Sequence, residues 1–534
     1  MTRIEGHGGD LVAETLRGYG IDRIFTLSGG HIFPIFDGLH TRDMRIIDTR
    51  HEQAAAFAAE AHGKLARVPG VAALTAGPGV TNGMSAITSA HFNGSPMLVL
   101  GGRAPELRWG QGSLQEMDHL PLVRTVTKFA ETVFEPGAIA ERTGAALDAA
   151  STPHRGPTFL DFPMDILFSR AEADVPGPKP LPWAFTDDGT VGQAVARAQR
   201  PVLLIGSDVW AGRAEKAARL FVESQRVPAF MNGMGRGVLP ADHDLAFSNA
   251  RGHAFGRADL VIVAGTALDF RLGFGNFGEA TVVHLTDDPA TVAKHVPLAA
   301  GLGGPLDLIL ESLAGGPAVD REDWIGELRA TETSKRSGFE AELADDRAPL
   351  HPSRIYGELR PRLARDGIVI CDGGDFASYA GKFVDVYEPG GWLDPGPYGC
   401  LGTAPGYALA AGLLHPGRQV VVLLGDGAAG FGMGDWDTLV RFGVDVTMVC
   451  GNNGIWGLEK HPMQFVYGYD VAAELRPETR YDEVMTALGG HGELVRTPDE
   501  LGSALDRALQ TPGPSLVNVL TDPSVAYPRS SNLA

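Results

Sequence analysis

The stretch from Gly425 to Asn453 constrains the fold of this chain more than any other part of the sequence. It reads GDGAAGFGMGDWDTLVRFGVDVTMVCGNN and follows a dense apolar run, Val420 to Leu424, which is typical of a fully buried parallel strand. A Gly-Asp-Gly turn, a helical segment and a second apolar run, Val444 to Cys450, complete one βαβ unit. Open α/β sheets bind ligands beyond the carboxyl ends of their strands, so the unit predicts a ligand site at its loops.

Two polar side chains follow the strands of this unit. Asp426 and Asn453 each come directly after one predicted strand, so a carboxylate and an amide oxygen can converge on one site. Hard oxygen ligands suit Mg²⁺, which keeps some waters and takes other ligands from substrate phosphates. A Gly-Asp-Gly turn alone is common, but paired asparagines after a buried strand need hydrogen-bond partners. The unit therefore predicts a metal-bridged diphosphate site.

This stretch resembles the diphosphate-binding motif of thiamine diphosphate enzymes, in the group of acetolactate synthases, 2-hydroxyacyl-CoA lyases and oxalyl-CoA decarboxylases. The resemblance implies that thiamine diphosphate and Mg²⁺ are bound, and that Asp426, Asn453 and the carbonyl of Ile455 hold the metal. Further cofactor contacts are then expected from Gly425, Gly427, Gly457 and Leu458.

The chain as a whole alternates strand-like and helical segments, and its 534 residues are too many for one core. We therefore predict an α/β protein with three doubly wound parallel-sheet domains. The resemblance assigns a pyrimidine-binding domain to residues 1–168, a central nucleotide-binding-like domain to 185–315, and a diphosphate- and Mg²⁺-binding domain to 350–534. The Pro-rich segment from Ala171 to Pro182 is interpreted as a linker, and the first and third blocks are candidates for related folds.

Composition excludes several other classes of protein. The formal charge of −20 argues against a nucleic-acid or membrane-surface partner. Cys371, Cys400 and Cys450 are too few, and too apolar in context, for a disulfide framework or a zinc site. The polar N-terminus and the absence of an apolar run of about 20 residues predict a cytoplasmic protein without a membrane span.

A second chemical signature lies in TRHEQAAAFAAEAHGK, where Glu52 begins an Ala-rich helix directly after a short apolar strand. An acidic residue in a first helical turn can simply stabilise the helix dipole, by roughly 0.3–1 kcal/mol. The segment, however, resembles the RHEQ segment of the acetolactate synthase and acyl-CoA lyase group, where the Glu meets the cofactor pyrimidine across a dimer interface. The resemblance implies that Glu52 is catalytic, and that the chain forms a homodimer or homotetramer with active sites at the dimer interface.

Three further segments carry the same resemblance. LSGGHIFPIFDGL resembles a PGG loop, which places Gly29 and Gly30 against cofactor and substrate. LQEMD resembles an FQE segment whose Gln faces the reacting centre, so Gln115 is a candidate catalytic residue. GCLG resembles a GTMG loop, in which the Gly399 carbonyl would accept from the cofactor amine and Leu401 would wedge the cofactor into a V shape. Each residue alone is better explained by a turn or by core packing. Their order along the chain is what favours a shared site.

The middle block offers a possible nucleotide site. Its apolar run from Leu260 to Ala264, followed by glycines, suits a nucleotide-sized crevice. Members of the resembling group bind FAD or ADP here, or no nucleotide, and all three possibilities stay open. Arg251 lies in an AR-x-x-A segment similar to that of the CoA-dependent members, whereas Asp269 and Arg271 resemble the acetolactate synthase pattern.

Substrate choice is expected to depend on NGIWGLEKHPM, which begins at Asn453. The resemblance places Leu458 and Glu459 beside the reactive carbon of the cofactor. Glu459 could then move a proton to or from a substrate hydroxyl, although a surface Glu paired with Lys460 or Lys128 is the plain alternative. Pro462 stands where acetolactate synthases have a Trp that sets specificity.

Over its whole length the chain resembles actinobacterial acetolactate synthase large subunits and, more distantly, 2-hydroxyacyl-CoA lyases. We expect an enzyme that makes or breaks a carbon–carbon bond beside a carbonyl. Glu459, Pro462 and Arg251 favour a 2-hydroxyacyl-CoA lyase that yields formyl-CoA and an aldehyde or ketone. The alternatives are an acetolactate synthase that condenses two molecules of the 2-oxo acid pyruvate and, third, a paralogue that binds the cofactor without turnover.

Overall fold

The computed structural model describes residues 2–180 and 185–528. In this part of the chain the strands form three six-stranded sheets and one two-stranded pair. All pairings within the three large sheets are parallel, and helices connect their strands. The predicted α/β class with three parallel-sheet domains is confirmed. None of the helices in these residues has the length and apolar composition that a membrane crossing requires.

The N-terminal region contains the first large sheet, in the strand order β3-β2-β4-β5-β7-β6. In chain order its elements are β1 (Thr2–His7), α1 (Gly8–Gly18), β2 (Arg23–Thr26), α2 (Phe33–His40), β3 (Arg45–Asp48), α3 (Glu52–Ala66), β4 (Gly70–Leu74), α4 (Pro78–Asn82), α5 (Met84–Asn93), β5 (Met97–Arg103), α6 (Leu120–Val123), β6 (Phe129–Thr132), α7 (Ile139–Ser151), β7 (Pro157–Pro163), α8 (Met164–Phe168) and β8 (Arg170–Val175).

Strand β8 corrects the interpretation of Ala171 to Pro182 as a linker. It pairs antiparallel with β1 along its whole length, from Thr2 opposite Val175 to His7 opposite Arg170. The distant β1 supplies backbone partners that local composition does not reveal, so the first part of the segment is a strand. Pro182 lies outside the described residues.

The central region has a different strand order, β11-β10-β9-β12-β13-β14. The chain proceeds outward from β9 to β11 on one side of the sheet and then outward from β12 to β14 on the other, so the order of the strands reverses between β9 and β12. Its elements are α9 (Thr190–Arg197), β9 (Pro201–Ile205), α10 (Ser207–Ala211), α11 (Glu215–Gln225), β10 (Ala229–Met231), β11 (Ala246–Phe247), α12 (Arg251–Arg257), β12 (Leu260–Ala264), β13 (Thr281–Thr286), β14 (Ala300–Gly303), α13 (Leu306–Ala314), α14 (Glu322–Gly338) and α15 (Glu340–Leu343). A reversal of this kind opens a crevice at the carboxyl ends of the strands.

The C-terminal region repeats the N-terminal topology. Its elements are α16 (Pro352–Leu359), β15 (Ile368–Cys371), α17 (Asp375–Phe383), β16 (Trp392–Leu393), α18 (Ala404–Leu414), β17 (Val420–Gly425), α19 (Asp426–Gly432), α20 (Trp436–Arg441), β18 (Val446–Asn452), α21 (Gly457–Tyr467), α22 (Tyr481–Ala487), β19 (His491–Val495), α23 (Pro498–Gln510) and β20 (Pro514–Leu520). The order β16-β15-β17-β18-β20-β19 places the second strand beside the first and the sixth beside the fifth, as in the N-terminal sheet.

Helices α3 and α18 join the N-terminal and C-terminal domains by close backbone contact. A Cβ atom added to Gly406 of α18 would lie 2.7 Å from the carbonyl oxygen of Ala54 and 2.8 Å from the amide nitrogen of Ala58. Only glycine permits this approach, because real Cβ atoms do not come so near to backbone atoms. Beside this contact the Arg50 amide donates to Asp435 Oδ1 at 2.7 Å. The start of α3 is thereby held against the C-terminal domain.

A buried charge cluster joins the N-terminal and central domains. His154, which precedes β7, lies with Nδ1 3.0 Å from Asp287 Oδ1 and 3.7 Å from Asp208 Oδ2. Burial by itself would lower the pKa of His154, but the charges of Asp208 and Asp287 outweigh it and raise the pKa to about 9. Arg155 pairs with Asp287 at 3.3 Å, and the Lys128 ammonium also acts on the cluster, lowering the pKa of His154.

The contact between α3 and α18 predicts that Gly406→Ala destabilises the protein. The added methyl group meets backbone atoms, which cannot move aside, and we expect a loss of about 1–3 kcal/mol in the free energy of unfolding. Gly326→Ala is the matched control, because a Cβ at this position of α14 meets open space; it should stabilise the helix by roughly 0.5–1 kcal/mol. Chemical denaturation of both variants measures this, and equal effects would contradict the close contact.

The charge cluster predicts a pH-dependent effect of His154→Gln. Since the pKa of His154 is raised to about 9 on folding, its contribution to stability is fully present below about pH 6.5 and is lost as the pH rises through 9. The stability advantage of the wild type over the variant should therefore shrink, by on the order of 2 kcal/mol, across this range. Calorimetric melting of both proteins from pH 6 to about pH 10 tests it, with the exposed His40→Gln as control. A pH-independent difference would exclude the pairing.

Candidate functional site

One cavity of about 880 Å³ lies at the carboxyl ends of β15, β17 and β18 and extends to the central domain. Its C-terminal wall contains many of the residues that the sequence analysis selected. These are Gly399, Leu401, Gly425, Asp426, Gly427, Ile455, Gly457, Leu458 and Glu459. The parallel strands explain this convergence, since their carboxyl ends meet at one edge of the sheet.

Asp426 is buried at the base of this cavity, with 3% of its surface exposed. Its Oδ2 accepts from the Gly454 amide at 2.9 Å. Burial raises the pKa of Asp426 to about 7, and the charge of Asp375 adds to the rise while the Gly454 amide opposes it. The predicted Gly-Asp-Gly turn is in fact the start of α19, where a carboxylate favours the helix dipole. A cation would stabilise the charged form of this buried carboxylate.

Asn453 lies beside Asp426 at the end of β18. Its Nδ2 donates to Asp375 Oδ2 at 3.1 Å, and its Oδ1 accepts from the Ile455 amide at 3.2 Å. The preceding Asn452 points elsewhere: its Nδ2 donates to the Thr479 carbonyl at 3.0 Å and to Asn518 Oδ1 at 3.1 Å. Of the two asparagines, Asn453 is therefore the one that belongs to the site.

Two glycines keep the floor of the cavity free of side chains. A Cβ on Gly457 would lie 2.1 Å from Asp375 Oδ2, and a Cβ on Gly427 would lie 2.5 Å from the Trp456 ring. Gly457 is the first residue of α21, so amide groups at a helix N-terminus face the cavity. Such groups bind phosphate oxygens well. The residues present, with oxygen donors beside bare backbone, fit a diphosphate and its metal ion.

Asp372 holds the loop that carries Gly399 and Leu401. It is 1% exposed, and its carboxylate accepts from the amides of Gly402 at 2.9 Å and Ala404 at 3.1 Å. Burial raises its pKa to about 6 although these amides lower it. Gly399 has a φ of +72°. Leu401 packs closely on the loop that follows β15: a Cβ added to Gly373 of that loop would lie 2.2 Å from Leu401 Cδ2.

Asp372 and Asp375 are site residues that the sequence analysis missed. Both belong to CDGGD, which follows the buried strand β15. This is the same signal that pointed to Asp426, namely acidic residues and glycines directly after an apolar strand. Burial raises the pKa of Asp375, although hydrogen bonds from Phe376 and Asn453 oppose the rise.

Glu52 is the first residue of α3 and is 7% exposed. Its Oε2 accepts from Asn82 Nδ2 at 3.0 Å. Glu52 is not among the described residues that line the cavity, and neither are Gly29, Gly30 and Gln115. One chain therefore gathers the predicted residues of the C-terminal domain at the cavity, except Asn453, which is not a lining residue but donates to the lining residue Asp375. The predicted residues of the N-terminal domain lie outside the cavity.

The N-terminal residues follow strands of their own sheet. Gly29 comes after β2, and a Cβ there would meet Thr75, after β4, at 2.3 Å. Gln115 has a left-handed φ of +57°, and a Cβ on Gly77 would lie 3.1 Å from its Cβ. Backbone strain of this kind in a non-glycine residue is often found at functional sites.

A buried histidine supports the Gly77 turn. His119 Nε2 accepts from the Gly77 amide at 3.0 Å, and its Nδ1 therefore carries the proton and donates to Asp161 Oδ2 at 2.9 Å. His119 and Asp161 are fully buried. They fix the turn against which Gln115 rests.

Glu459 lies in the first turn of α21, exposed on the cavity wall. Lys460 forms an ion pair with Glu474, and Lys128 donates to the Thr152 carbonyl. Pro462 is inside α21, one turn further along. Glu459 lines the same cavity as Leu458 and Gly457.

The far end of the cavity is basic. Arg251 and Arg271 both line it, beside Phe270. Arg251 donates to Asn232 Oδ1 at 2.7 Å, and Arg271 pairs with Asp269 at 2.7 Å. Burial lowers the pKa of Arg251 to about 10, and the charge of Arg271 contributes to this decrease. An anionic group at this end would relieve the repulsion between the arginines.

Three family models match the chain. They are the N-terminal thiamine pyrophosphate binding domain at residues 6–122, the central domain of the same enzymes at 190–313, and the C-terminal thiamine pyrophosphate binding domain at 372–519. The last match contains Asp375, Asp426 and Asn453, and the first contains Glu52 and Gln115.

Two sets of relatives were found. A probable acetolactate synthase of Mycobacterium bovis and an acetolactate synthase large subunit of Mycobacterium tuberculosis are each 56% identical over 539 residues, which cover 99% of this chain and 98% of the relative. A 2-hydroxyacyl-CoA lyase 2 of Caenorhabditis elegans is 33% identical over 572 residues, covering 96% of this chain and 89% of the relative.

These identities correct the expectation of a 2-hydroxyacyl-CoA lyase. The relatives with that name are 31 to 33% identical, against 56% for those named acetolactate synthase. The expectation rested on Glu459, Pro462 and Arg251, and three positions weigh little against similarity spread over the whole chain. The resemblance to thiamine diphosphate enzymes is confirmed. This chain belongs to the thiamine pyrophosphate enzyme family and is a thiamine diphosphate-dependent enzyme.

Proposed function

We propose that the protein is an acetolactate synthase, which joins two molecules of pyruvate with the help of thiamine diphosphate and Mg²⁺. The observation that carries the proposal is the 56% identity to relatives named acetolactate synthase, over 99% of this chain. The cavity supports the proposal, because Asp426 and the bare backbone of Gly427 and Gly457 in its wall fit a diphosphate and its cation.

The C-terminal end of the cavity would hold the diphosphate and its metal. In this proposal Asp426, Asn453 and the carbonyl of Ile455 bind Mg²⁺, and the backbone at Gly427 and Gly457 faces the diphosphate. Three observations support these assignments: the carboxylate of Asp426 is buried, the Asn453 amide contacts the neighbouring Asp375, and the floor of the cavity at Gly427 and Gly457 has no side chains. Gly425 and Leu458 would complete the contacts with the cofactor.

When bound, thiamine diphosphate supplies an electron sink for the bond beside the carbonyl. The chain's own residues orient it and control protons. The Gly399 carbonyl would accept from the amine of the pyrimidine, and Leu401, held through Asp372, would support the bent shape. Glu459 stands on the wall where it could move a proton to or from a substrate hydroxyl.

The remaining residues would come from a second copy of the chain. Glu52, Gly29, Gly30 and Gln115 do not line the cavity of the described chain, yet they gather at the edge of their own sheet. We propose a homodimer or homotetramer in which Glu52 of the partner subunit meets the pyrimidine and holds a proton at its ring nitrogen, while Gln115 faces the substrate. The two glycines would leave room for both.

The basic end of the cavity would take FAD or ADP. Arg251 and Arg271 place two positive charges at the crevice of the central sheet, where a pyrophosphate would be favoured. Phe270 offers a ring face beside them. This part of the proposal concerns the nucleotide only, and the carbon–carbon chemistry does not depend on it.

The proposal predicts that the purified chain, supplied with thiamine diphosphate, Mg²⁺ and FAD, converts pyruvate to acetolactate. The product is measured as acetoin after acid decarboxylation. Asp426→Asn should lower kcat/KM for pyruvate by on the order of 100-fold, because the metal loses a charged ligand. Cofactor binding without pyruvate turnover would contradict the proposal and favour a paralogue without activity.

Sharing of the site between subunits predicts complementation. Glu52→Gln and Asp426→Asn homo-oligomers should each lose roughly 100-fold or more in kcat. A heterodimer of the two chains, purified through two different tags after co-expression, has one intact site and one doubly altered site, so about half of the wild-type activity should return. If Glu52 acted with Asp426 of its own chain, the heterodimer would be as inactive as its parents.

A further inference from the structure

Asp375 is a second carboxylate at the diphosphate end of the cavity. It is the first residue of α17, which follows β15, and β15 pairs directly with β17. It lines the cavity together with Asp426. The C-terminal family model, a thiamine pyrophosphate binding domain, covers residues 372–519 and so includes both Asp375 and Asp426.

The contacts of Asp375 connect it to the segment that follows β18. Its Oδ2 accepts from Asn453 Nδ2 at 3.1 Å, and its Oδ1 accepts from the Phe376 amide at 2.8 Å. The same Oδ2 lies 2.1 Å from the position that a Cβ on Gly457 would take. The carboxylate therefore occupies the space between the proposed metal ligand Asn453 and the bare N-terminus of α21.

The charge balance of this end of the cavity is negative. Asp375 and Asp426 act on each other as like charges, and His461 acts on Asp375 as the opposite charge. In the described residues neither carboxylate has an ion pair with a lysine or arginine. A diphosphate adds further negative charge. Two carboxylates and a diphosphate in one buried space repel one another unless a cation lies between them. Hard carboxylate oxygens are the ligands that Mg²⁺ prefers.

We propose that Asp375 supplies a second carboxylate to the divalent-cation site, so that diphosphate binding is coupled to the cation more strongly than Asp426 and Asn453 alone would require. This inference rests on the cation site of the proposed function. Asp375 repels a diphosphate when the cation is absent and helps to hold the cation when it is present. Removal of this carboxylate should weaken the binding of the cation. In the absence of the cation, it should strengthen the binding of the cofactor.

The test measures binding rather than turnover. Isothermal titration of the full-length apoprotein gives the Kd of thiamine diphosphate without metal and at saturating Mg²⁺, and the Kd of Mg²⁺ with the cofactor present. Asp375→Asn should raise the Kd of Mg²⁺ by on the order of 10- to 100-fold and make cofactor binding less dependent on metal. Asp499→Asn is the matched control, since it removes a carboxylate from the first turn of α23 on the exposed surface.

Two further variants keep the outcome clear. Gly457→Ala displaces the same carboxylate by contact and should change the Kd of Mg²⁺ in the same direction, which guards against a folding defect peculiar to Asp375→Asn. Asp426→Asn tests the cation site itself. If Asp426→Asn weakens the binding of Mg²⁺ and Asp375→Asn does not, the inference is wrong and the proposed cation site stands. If neither variant weakens the binding of Mg²⁺, both the inference and the proposed cation site are wrong.

Discussion

The site depends on one geometric constraint, the common direction of parallel strands. β15, β17 and β18 are adjacent and run the same way, so the residue that follows each strand is delivered to one edge. That edge receives Asp372 and Asp375 from the first strand, Asp426 from the second and Asn453 from the third. The interior of the sheet is apolar on both faces, which leaves this edge as the place where polar groups can be collected.

Burying several carboxylates together costs solvation free energy, and hydrogen bonds compensate for this loss to different extents at Asp372 and Asp426. Asp372 is satisfied by backbone amides and serves the loop at Gly399 and Leu401. Asp426 accepts from the Gly454 amide at 2.9 Å, and burial nevertheless raises its pKa to about 7. Both residues line the cavity, and a bound cation would complete the solvation of the less satisfied carboxylate, Asp426.

Sequence patterns predicted the strands well where burial is local. The run Leu260–Ala264 is a strand with the same bounds as predicted. The predicted strand at Val444 begins instead at Val446, because its ladder starts where Pro514 of β20 becomes available. Strand β8 and the contact between Asp375 and Asn453 depend on distant partners, which one short segment cannot reveal.

The residues of the candidate site also divide into those that a local sequence motif indicates and those that it does not. Asp426 was predicted from a continuous motif, and Ile455 and Gly457 from the resemblance that this motif carries; the fold brings all three to one cavity. Glu52 and Gln115 were assigned by resemblance, and the single chain places them away from it. Substrate choice was predicted wrongly, because it was taken from a few side chains near the reaction rather than from the chain as a whole.

The N-terminal and C-terminal sheets share one strand order, and this has a consequence for how the enzyme could change over time. Equivalent loops after equivalent strands carry different chemistry: acids and asparagine in one sheet, and Glu52 and a Gly-rich turn in the other. Under the proposed function, the residues that would meet the two ends of the cofactor lie in short segments after strands, on a framework used twice. New specificity can arise by altering those segments alone, while the sheets beneath them keep the architecture intact.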